Sequence, residues 1–357
     1  MSEPKGYPGA ACNVPLLERI LAELSTGGYP GGPEVAGGRR QFVKVLTERR
    51  DDGITPYESF LFVFPENTDS VSVTGDVCSL DCAHCDGHYL KKMTTLSELE
   101  ELLEGDAAGG PRSWLMSGGC NSTGTVPVPP EHVLQKLSEI GRLNFHVGLA
   151  GDEQIEAAAR YADVVSFDMI GCDETISRVM GLDHGFSDYL RVYRRLRSQL
   201  PDNVPVVPHV VVGLDGGRIC GEYRLIDALA REEPEALVFL ILRPTPGTRF
   251  ENASPPSLTD VRDVMLHARS VLPRTRLHLG CMRPSGQYRA AVDLLAAACD
   301  FDVLVQPTLA ARRILLEELG PEHVSWGDEC CDLYVGTERL GPVGPYDSLR
   351  AFRRRFQ

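Results

Sequence analysis

A chain of 357 residues, 43% hydrophobic and 24% charged, has the composition of a soluble globular protein; it is long for one core but within the range of a single α/β barrel with additions. Its formal net charge of −14 lacks the basic footprint that nucleic acid or an anionic membrane surface demands. Eleven cysteines, an odd count, argue for a reduced cytoplasmic chain rather than a disulfide-stapled secreted one, and neither a leader pattern after Met1 nor a bilayer-length apolar run argues otherwise.

Residues 1–69 read as an N-terminal extension. An amphipathic helical pattern covers 14–24, and glycine and proline crowd 27–38 into a loop. Phe60-Leu-Phe-Val-Phe64 reads as a strand or buried extended segment ended by Pro65, and Cys12 as an isolated thiol. From residue 70 short apolar runs alternate with longer helical ones. Strands are predicted at 70–74, 113–117, 145–149, 164–168, 206–212, 238–242, 277–280 and 303–305. Helices are predicted at 94–104, 131–141, 152–161, 187–200, 221–232, 257–272, 286–298 and 309–319. Continuous apolar runs such as Val210-Val-Val212 suit buried parallel strands. Eight β-then-α units favour an α/β fold, a TIM-like (β/α)8 barrel over 70–320, with 321–357 as a C-terminal extension.

A barrel of this kind carries its chemistry at the C-terminal ends of its strands. Read in order, that rim holds the cysteine-rich loop 78–85, then Ser117-Gly118-Gly119-Cys120, then His146. Ser166, Asp168 and Cys172 follow, then His209 and Gly213, then Arg243-Pro-Thr-Pro-Gly-Thr248. Gly280-Cys281-Met-Arg283-Pro284 and Gln306-Pro-Thr308 complete it. Ser166 and Asp168 alternate on one strand and so face the same side. His146 and His209 are catalytic candidates, although a hydrogen-bonded histidine at a strand end is the commoner case.

Three cysteines, Cys78, Cys82 and Cys85, share one loop at C-x3-C-x2-C spacing between a strand and a helix. A zinc site would need a fourth ligand and paired spacing that are missing nearby. Iron–sulfur clusters are held by thiolates, and three thiolates on a four-iron cube leave one iron open. An open position is what catalytic metal sites keep.

The loop resembles the signature of radical S-adenosylmethionine enzymes, with His84 where an aromatic residue is usual. The resemblance implies a [4Fe-4S] cluster whose open iron binds S-adenosylmethionine and cleaves it to a 5′-deoxyadenosyl radical. It further implies that Gly118 and Gly119 lie against the cofactor's amino group, with Cys120 in place of a frequent glutamate. Ser166 and Asp168 then correspond to residues at its ribose, and Val212-Gly213-Leu214 to the segment against adenine. Arg178 and Arg191 are candidates for its carboxylate, each equally readable as a solvated helix residue.

Cys120 and Cys281 fall at strand ends beside glycine, and Cys330-Cys331 lie in a tail able to fold back over the rim. They suggest an auxiliary iron–sulfur cluster held by Cys120, Cys281 and either Cys330 or Cys331; unrelated buried thiols are the alternative. Cys220 and Cys299 read as packing residues. Taken with Cys82-Ala-His-Cys-Asp-Gly-His-Tyr-Leu90, Pro244-Thr-Pro-Gly-Thr248 and Gly280-Cys-Met-Arg-Pro284, the rim resembles the biotin-synthase-like group that includes the two-component lipoyl synthases first found in archaea. That resemblance, over residues 70–310, implies sulfur insertion into an octanoyl chain on a lysine of a carrier protein. An auxiliary cluster would donate the sulfur. The implied partners are the octanoylated lipoyl carrier, a second related radical enzyme, and a reductant such as ferredoxin or flavodoxin. The alternatives are sulfur insertion, methylation or rearrangement on a small metabolite, and an electron-transfer or metal-binding protein without catalysis.

Overall fold

A computed structural model describes residues 60–104 and 111–335. The expectations at Cys12, 14–24 and 27–38 lie outside the described residues. Among the described residues one sheet of eleven strands, every pair parallel, curls into a TIM-like half-barrel with helices on its outer face. The strands are β1 (Phe60–Val63), β2 (Thr68–Ser72), β3 (Thr94–Thr95), β4 (Ser113–Ser117), β5 (Arg142–His146) and β6 (Val164–Met169). Then come β7 (Val206–Val212), β8 (Ala236–Ile241), β9 (Arg276–Leu279), β10 (Val303–Val305) and β11 (Val324–Gly327). Their order across the sheet is β11-β1-β10-β9-β8-β7-β6-β5-β4-β2-β3.

The helices are α1 (Leu96–Glu104), α2 (Glu131–Ile140), α3 (Asp152–Tyr161), α4 (Phe186–Gln199), α5 (Glu222–Ala230), α6 (Leu258–Val271), α7 (Gly286–Ala298) and α8 (Leu309–Leu319). Side-chain caps mark some of their starts. Ser257 Oγ accepts from Asp260 N–H at α6, and Thr308 Oγ1 from Ala311 N–H at α8. The main core lies between sheet and helices, where strand residues such as Phe145, Phe167 and Phe239 meet helix residues such as Val133, Tyr193 and Val264.

All eight predicted units are present. The third strand sits earlier than its predicted 145–149, because the chain turns away at Gly148, whose φ is +61°. The sheet crosses both expected extension boundaries: β1 lies before residue 70 and β11 after residue 320. β1 is apolar and buried at all four positions and takes the place beside β10. Among the described residues β2 pairs only with β3 and β4, and no hydrogen bonds between described strands close the barrel. The tail after β11 bridges that seam instead. Asn67 N–H donates to Asp328 O (2.8 Å), Asn67 Nδ2 to Asp328 Oδ2 (2.9 Å), and Cys330 N–H to Thr68 Oγ1 (2.7 Å).

The tail then fills the barrel. A second core comprises inward residues Leu61, Val63, Val164, Val207, Ala236, Val238, Val303 and Val305 with Cys331, Leu333 and Tyr334. Arg142 and Arg276, the first residues of β5 and β9, donate to Leu333 O and Tyr334 O. The tail therefore plugs the N-terminal end of the strands; it does not fold over the rim as expected. Thr68, Arg142 and Arg276 offer their polar groups at that end and hold it there.

Candidate functional site

Inward positions recur every second residue along a strand. On β5 these are Arg142, Asn144 and His146; on β6, Val164, Ser166 and Asp168; on β7, Val207 and His209; on β9, Arg276 and His278. The lumen is therefore a stack of polar layers between the plug and the cysteine loop. Asp332 of the tail, 1% exposed, organises the middle of it. His209 Nε2 lies 2.7 Å from Asp332 Oδ2, and Ser166 Oγ reaches both that carboxylate and Asn144 Oδ1 (2.8 Å). Above, Asp168 stands between two imidazoles, 3.6 Å from His209 Nδ1 and 3.8 Å from His146 Nδ1. Its side chain is 58% exposed although it faces inward from mid-sheet, so the lumen is open at this level.

These contacts set the charges. Burial alone would raise the Asp168 carboxyl, but His209, His146 and His84 outweigh it and lower it to about 2. Burial disfavours a charged His209, yet Asp332 and Asp168 on either side hold its pKa well above the ordinary value. His146 is lowered by burial, and His84 is lowered to about 4 for the same reason. Among the described residues His84 Nδ1 is buried without a hydrogen-bond partner.

Cys78, Cys82 and Cys85 cap this lumen at the C-terminal end of β2. The free Cys82 and Cys85 thiols share a hydrogen bond, and Cys85 N–H donates to Cys82 O (3.2 Å). Cys82 is pushed far up by its bond to Cys85, by burial and by Cys85, Cys78 and Cys120, whereas the Cys82 bond lowers Cys85 to about 7. Three free thiols gathered on one loop are a donor set that fits an iron–sulfur cluster.

The loop is held from three sides. Ala83 N–H donates to Val179 O (2.8 Å), in the π-helical turn Ile176–Met180 beyond β6. Phe250 N–H donates to Ala83 O (3.0 Å), and Tyr89 Oη lies 2.7 Å from Thr245 Oγ1. The Pro244–Thr248 stretch therefore buttresses the cysteine loop. Ser79 N–H donates to Cys120 O (2.8 Å), with the Cys78 thiol 3.8 Å from the same oxygen.

Gly119 is glycine for a reason the sequence does not disclose. A Cβ there would stand 2.0 Å from Val77 O and 2.6 Å from Cys78 Cα, so the group that approaches closely is the cysteine loop itself. At Gly118 the neighbour is a Val73 methyl at 2.9 Å. Gly213, at φ +76°, gives its N–H to the buried Glu222 carboxylate (2.7 Å), which also accepts from Cys220 N–H (2.6 Å). Sequence reasoning missed Glu222, although a glutamate in the first turn of a helix is a familiar backbone acceptor.

The remaining expected residues separate. Ser166, expected at the cofactor's ribose, is 1% exposed, with its hydroxyl committed to Asn144 and Asp332 below the open lumen. The Arg178 guanidinium pairs with Asp215 at the rim, and the exposed Arg191 pairs with Asp188 (2.7 Å) on α4. Cys120 stands with the rim cysteines, its carbonyl accepting from Ser79 N–H (2.8 Å), and burial, Cys78, Asp168 and Cys85 raise its thiol to about 12. The groups acting on Cys281 are instead Cys330, Arg283 and His209. β4 and β9 are five places apart in the sheet, which is why Cys120 and Cys281 do not group. Cys220 is not a packing residue: it forms a disulfide with Cys172 between the rim loops after β6 and β7. Cys299 is buried in the main core, as expected. Among the described residues no helix is long and apolar enough to cross a membrane.

No family model matches the chain, and no curated protein matches it. Solved structures do. Methylornithine synthase (PylB) aligns over 85% of each chain at 15% identity with a TM-score of 0.50. HydG, a maturase of the [FeFe]-hydrogenase, aligns over 84% of this chain and 68% of its own at 14% identity, TM-score 0.54. HydG from Carboxydothermus hydrogenoformans covers 82% and 71% at 15% identity, TM-score 0.52. At such identities the likeness is one of fold, and it extends over most of the barrel.

Proposed function

We propose that this chain is a radical S-adenosylmethionine enzyme that inserts sulfur at unactivated C–H positions. It would form one component of a lipoyl synthase acting on an octanoyl-lysyl carrier protein in the cytoplasm. The observation that carries the reading is the placement of Cys78, Cys82 and Cys85 together over an open lumen, on a fold shared with methylornithine synthase and HydG. When bound, a [4Fe-4S] cluster with S-adenosylmethionine supplies a 5′-deoxyadenosyl radical. Cys78, Cys82 and Cys85 would hold the cluster.

The chain's residues then position and shield. Gly118 and Gly119 set the rim beside the cluster, and Gly213 turns the β7 rim under the constraint of Glu222. Asp168, ionised and exposed within the lumen, offers acceptors to hydroxyl groups of a bound nucleoside. Arg178 is a rim cation one residue before Val179, whose carbonyl accepts from Ala83 N–H of the cysteine loop. An unactivated C–H bond has no acidic proton, so general acid–base groups are not needed; exclusion of water from a radical is. The plug meets that need by sealing the opposite end of the barrel. Sulfur insertion rests on the lumen thiols, Cys281 with Cys330 or Cys331, as ligands of an auxiliary iron–sulfur cluster. Cys120 is reserved to the rim set.

The test is mass spectrometry of an octanoylated lipoyl carrier after anaerobic turnover, with a ferredoxin- or flavodoxin-type reductant, with and without a second related enzyme. Addition of sulfur is expected. An unmodified carrier, with S-adenosylmethionine still cleaved, would remove the lipoyl reading and leave chemistry on a small metabolite.

A further inference from the structure

The floor of the lumen holds a donor group that the radical chemistry does not use. His278, inward on β9, is 0% exposed, and among the described residues neither of its ring nitrogens has a hydrogen-bond partner. Burying polar atoms unpaired is costly, and such groups are rare in folded proteins. Facing it from the tail are Cys331 and Asp332, also buried, with one donor atom from each of the three within 4.8 Å of the others. Asp332 Oδ2 is engaged by His209 and Ser166, while Oδ1 lies on the Cys331 side, 3.3 Å from Sγ. A carboxylate oriented from behind by hydrogen bonds is how ligands in metal sites are commonly held. Arg276, the cation beside His278, donates to Tyr334 O.

His146, His209 and Asp332 form a second triangle of the same spacing. There, however, His209 Nε2 and Asp332 Oδ2 already face one another at 2.7 Å, and His209 Nδ1 faces Asp168 Oδ1 at 3.6 Å. The triangle with the orphaned imidazole is the one that lacks something. We propose that His278, Cys331 and Asp332 bind a single divalent transition ion of the zinc type, which fastens the C-terminal plug to β9. An imidazole, a thiolate and a carboxylate suit such an ion and do not suit magnesium or calcium, which take oxygen ligands. Two anionic ligands offset the charge of the ion within the barrel. The site is independent of S-adenosylmethionine cleavage, and by taking Cys331 it leaves Cys281 and Cys330 as the thiols open to an auxiliary cluster.

The probe is Co²⁺, titrated anaerobically into the full-length chain after reduction and chelation, in a Cys78→Ala, Cys82→Ala, Cys85→Ala background that removes the rim thiolates. One equivalent is expected, with a thiolate-to-cobalt charge-transfer band that Zn²⁺ abolishes by displacement. Cys331→Ala should remove the band. His278→Ala should weaken binding by more than about 100-fold, since loss of an outer partner alone costs about 10–100-fold. His278→Cys, which keeps a donor, should recover most of it. Zn²⁺ should raise the melting temperature of the wild-type chain but not of His278→Ala, with circular dichroism showing both folded. Absence of a stoichiometric Co²⁺ complex, or unchanged affinity in His278→Ala, would overturn the proposal. Loss of the band in Cys281→Ala would also overturn it, assigning these thiols to an iron–sulfur cluster.

Discussion

Replacing Gly119 by alanine puts a single methyl group where the cysteine loop already is. The new Cβ would lie 2.0 Å from Val77 O, 2.6 Å from Cys78 Cα and 2.8 Å from Cys78 Cβ, against 3.4 Å for the start of ordinary contact. Relieving the worst overlap, from 2.0 to 3.4 Å, moves the loop by about 1.4 Å. None of the three atoms is the far end of a flexible side chain, so the loop backbone itself must give. The stability cost is that of overpacking, about 1–3 kcal/mol. A far larger effect falls on geometry, because a misplacement of about 1 Å in a reacting constellation costs about 10²-fold in rate. The expected variant is folded, with a melting temperature lower by about 2–4 °C for each kcal/mol. It should contain less iron after reconstitution and form 5′-deoxyadenosine about 10²-fold more slowly. Gly118→Ala is the control: its nearest neighbour, at 2.9 Å, is a Val73 methyl that a rotamer change can move. Iron content, melting temperature and 5′-deoxyadenosine formation, measured on both variants, decide the matter. Wild-type iron and rate in Gly119→Ala, or equal losses in the two variants, would refute the steric reasoning.

Arg283 and Asp293 form an ion pair with both side chains 0% exposed, and Arg283 also donates to Val305 O (2.7 Å). Arg283→Ala leaves Asp293 buried and unpaired, so urea unfolding should show a loss of about 3–5 kcal/mol; a change below about 1 kcal/mol would rule out that role. The Cys172–Cys220 disulfide closes a sequence separation of 48 residues. Alkylation of the unreduced, denatured chain should leave these two cysteines unlabelled, and Cys172→Ser should cost about 2–4 kcal/mol; full labelling would remove the bond from the account. Cys281→Ala should spare S-adenosylmethionine cleavage and stop sulfur transfer; loss of both would show that Cys281 serves the first reaction instead.

Much of the barrel was legible because its two periods are distinct. Apolar runs such as Val206–Val212 and amphipathic stretches such as Phe186–Gln199 bury different faces, so the eight units could be counted from sequence. The cysteine loop was legible because its three thiols are local. What escaped was set by contacts between distant residues. The tail's destination depends on Thr68, Arg142 and Arg276, and nothing in Glu329-Cys330-Cys331-Asp332 names those partners. The alternation of Ser166 and Asp168 put both on the inner face, yet only the structure shows Asp332 between them, with one residue sealed beneath the open lumen and the other exposed in it. Gly118-Gly119 announced a close approach, but the group that approaches Gly119 is the backbone of Cys78, 41 positions earlier in the chain. Cys172 and Cys220 were read as separate, since their meeting requires the rim loops after β6 and β7 to touch backbone to backbone at Gly171 and Gly221.

The most direct measurement is chromatographic detection of 5′-deoxyadenosine after the full chain, reconstituted with iron and sulfide and reduced under anaerobic conditions, is incubated with S-adenosylmethionine. The account predicts that the nucleoside accumulates, and that Cys78→Ala, Cys82→Ala and Cys85→Ala each abolish it. No 5′-deoxyadenosine from a chain that carries its cluster, or undiminished formation in any of the three variants, would contradict it.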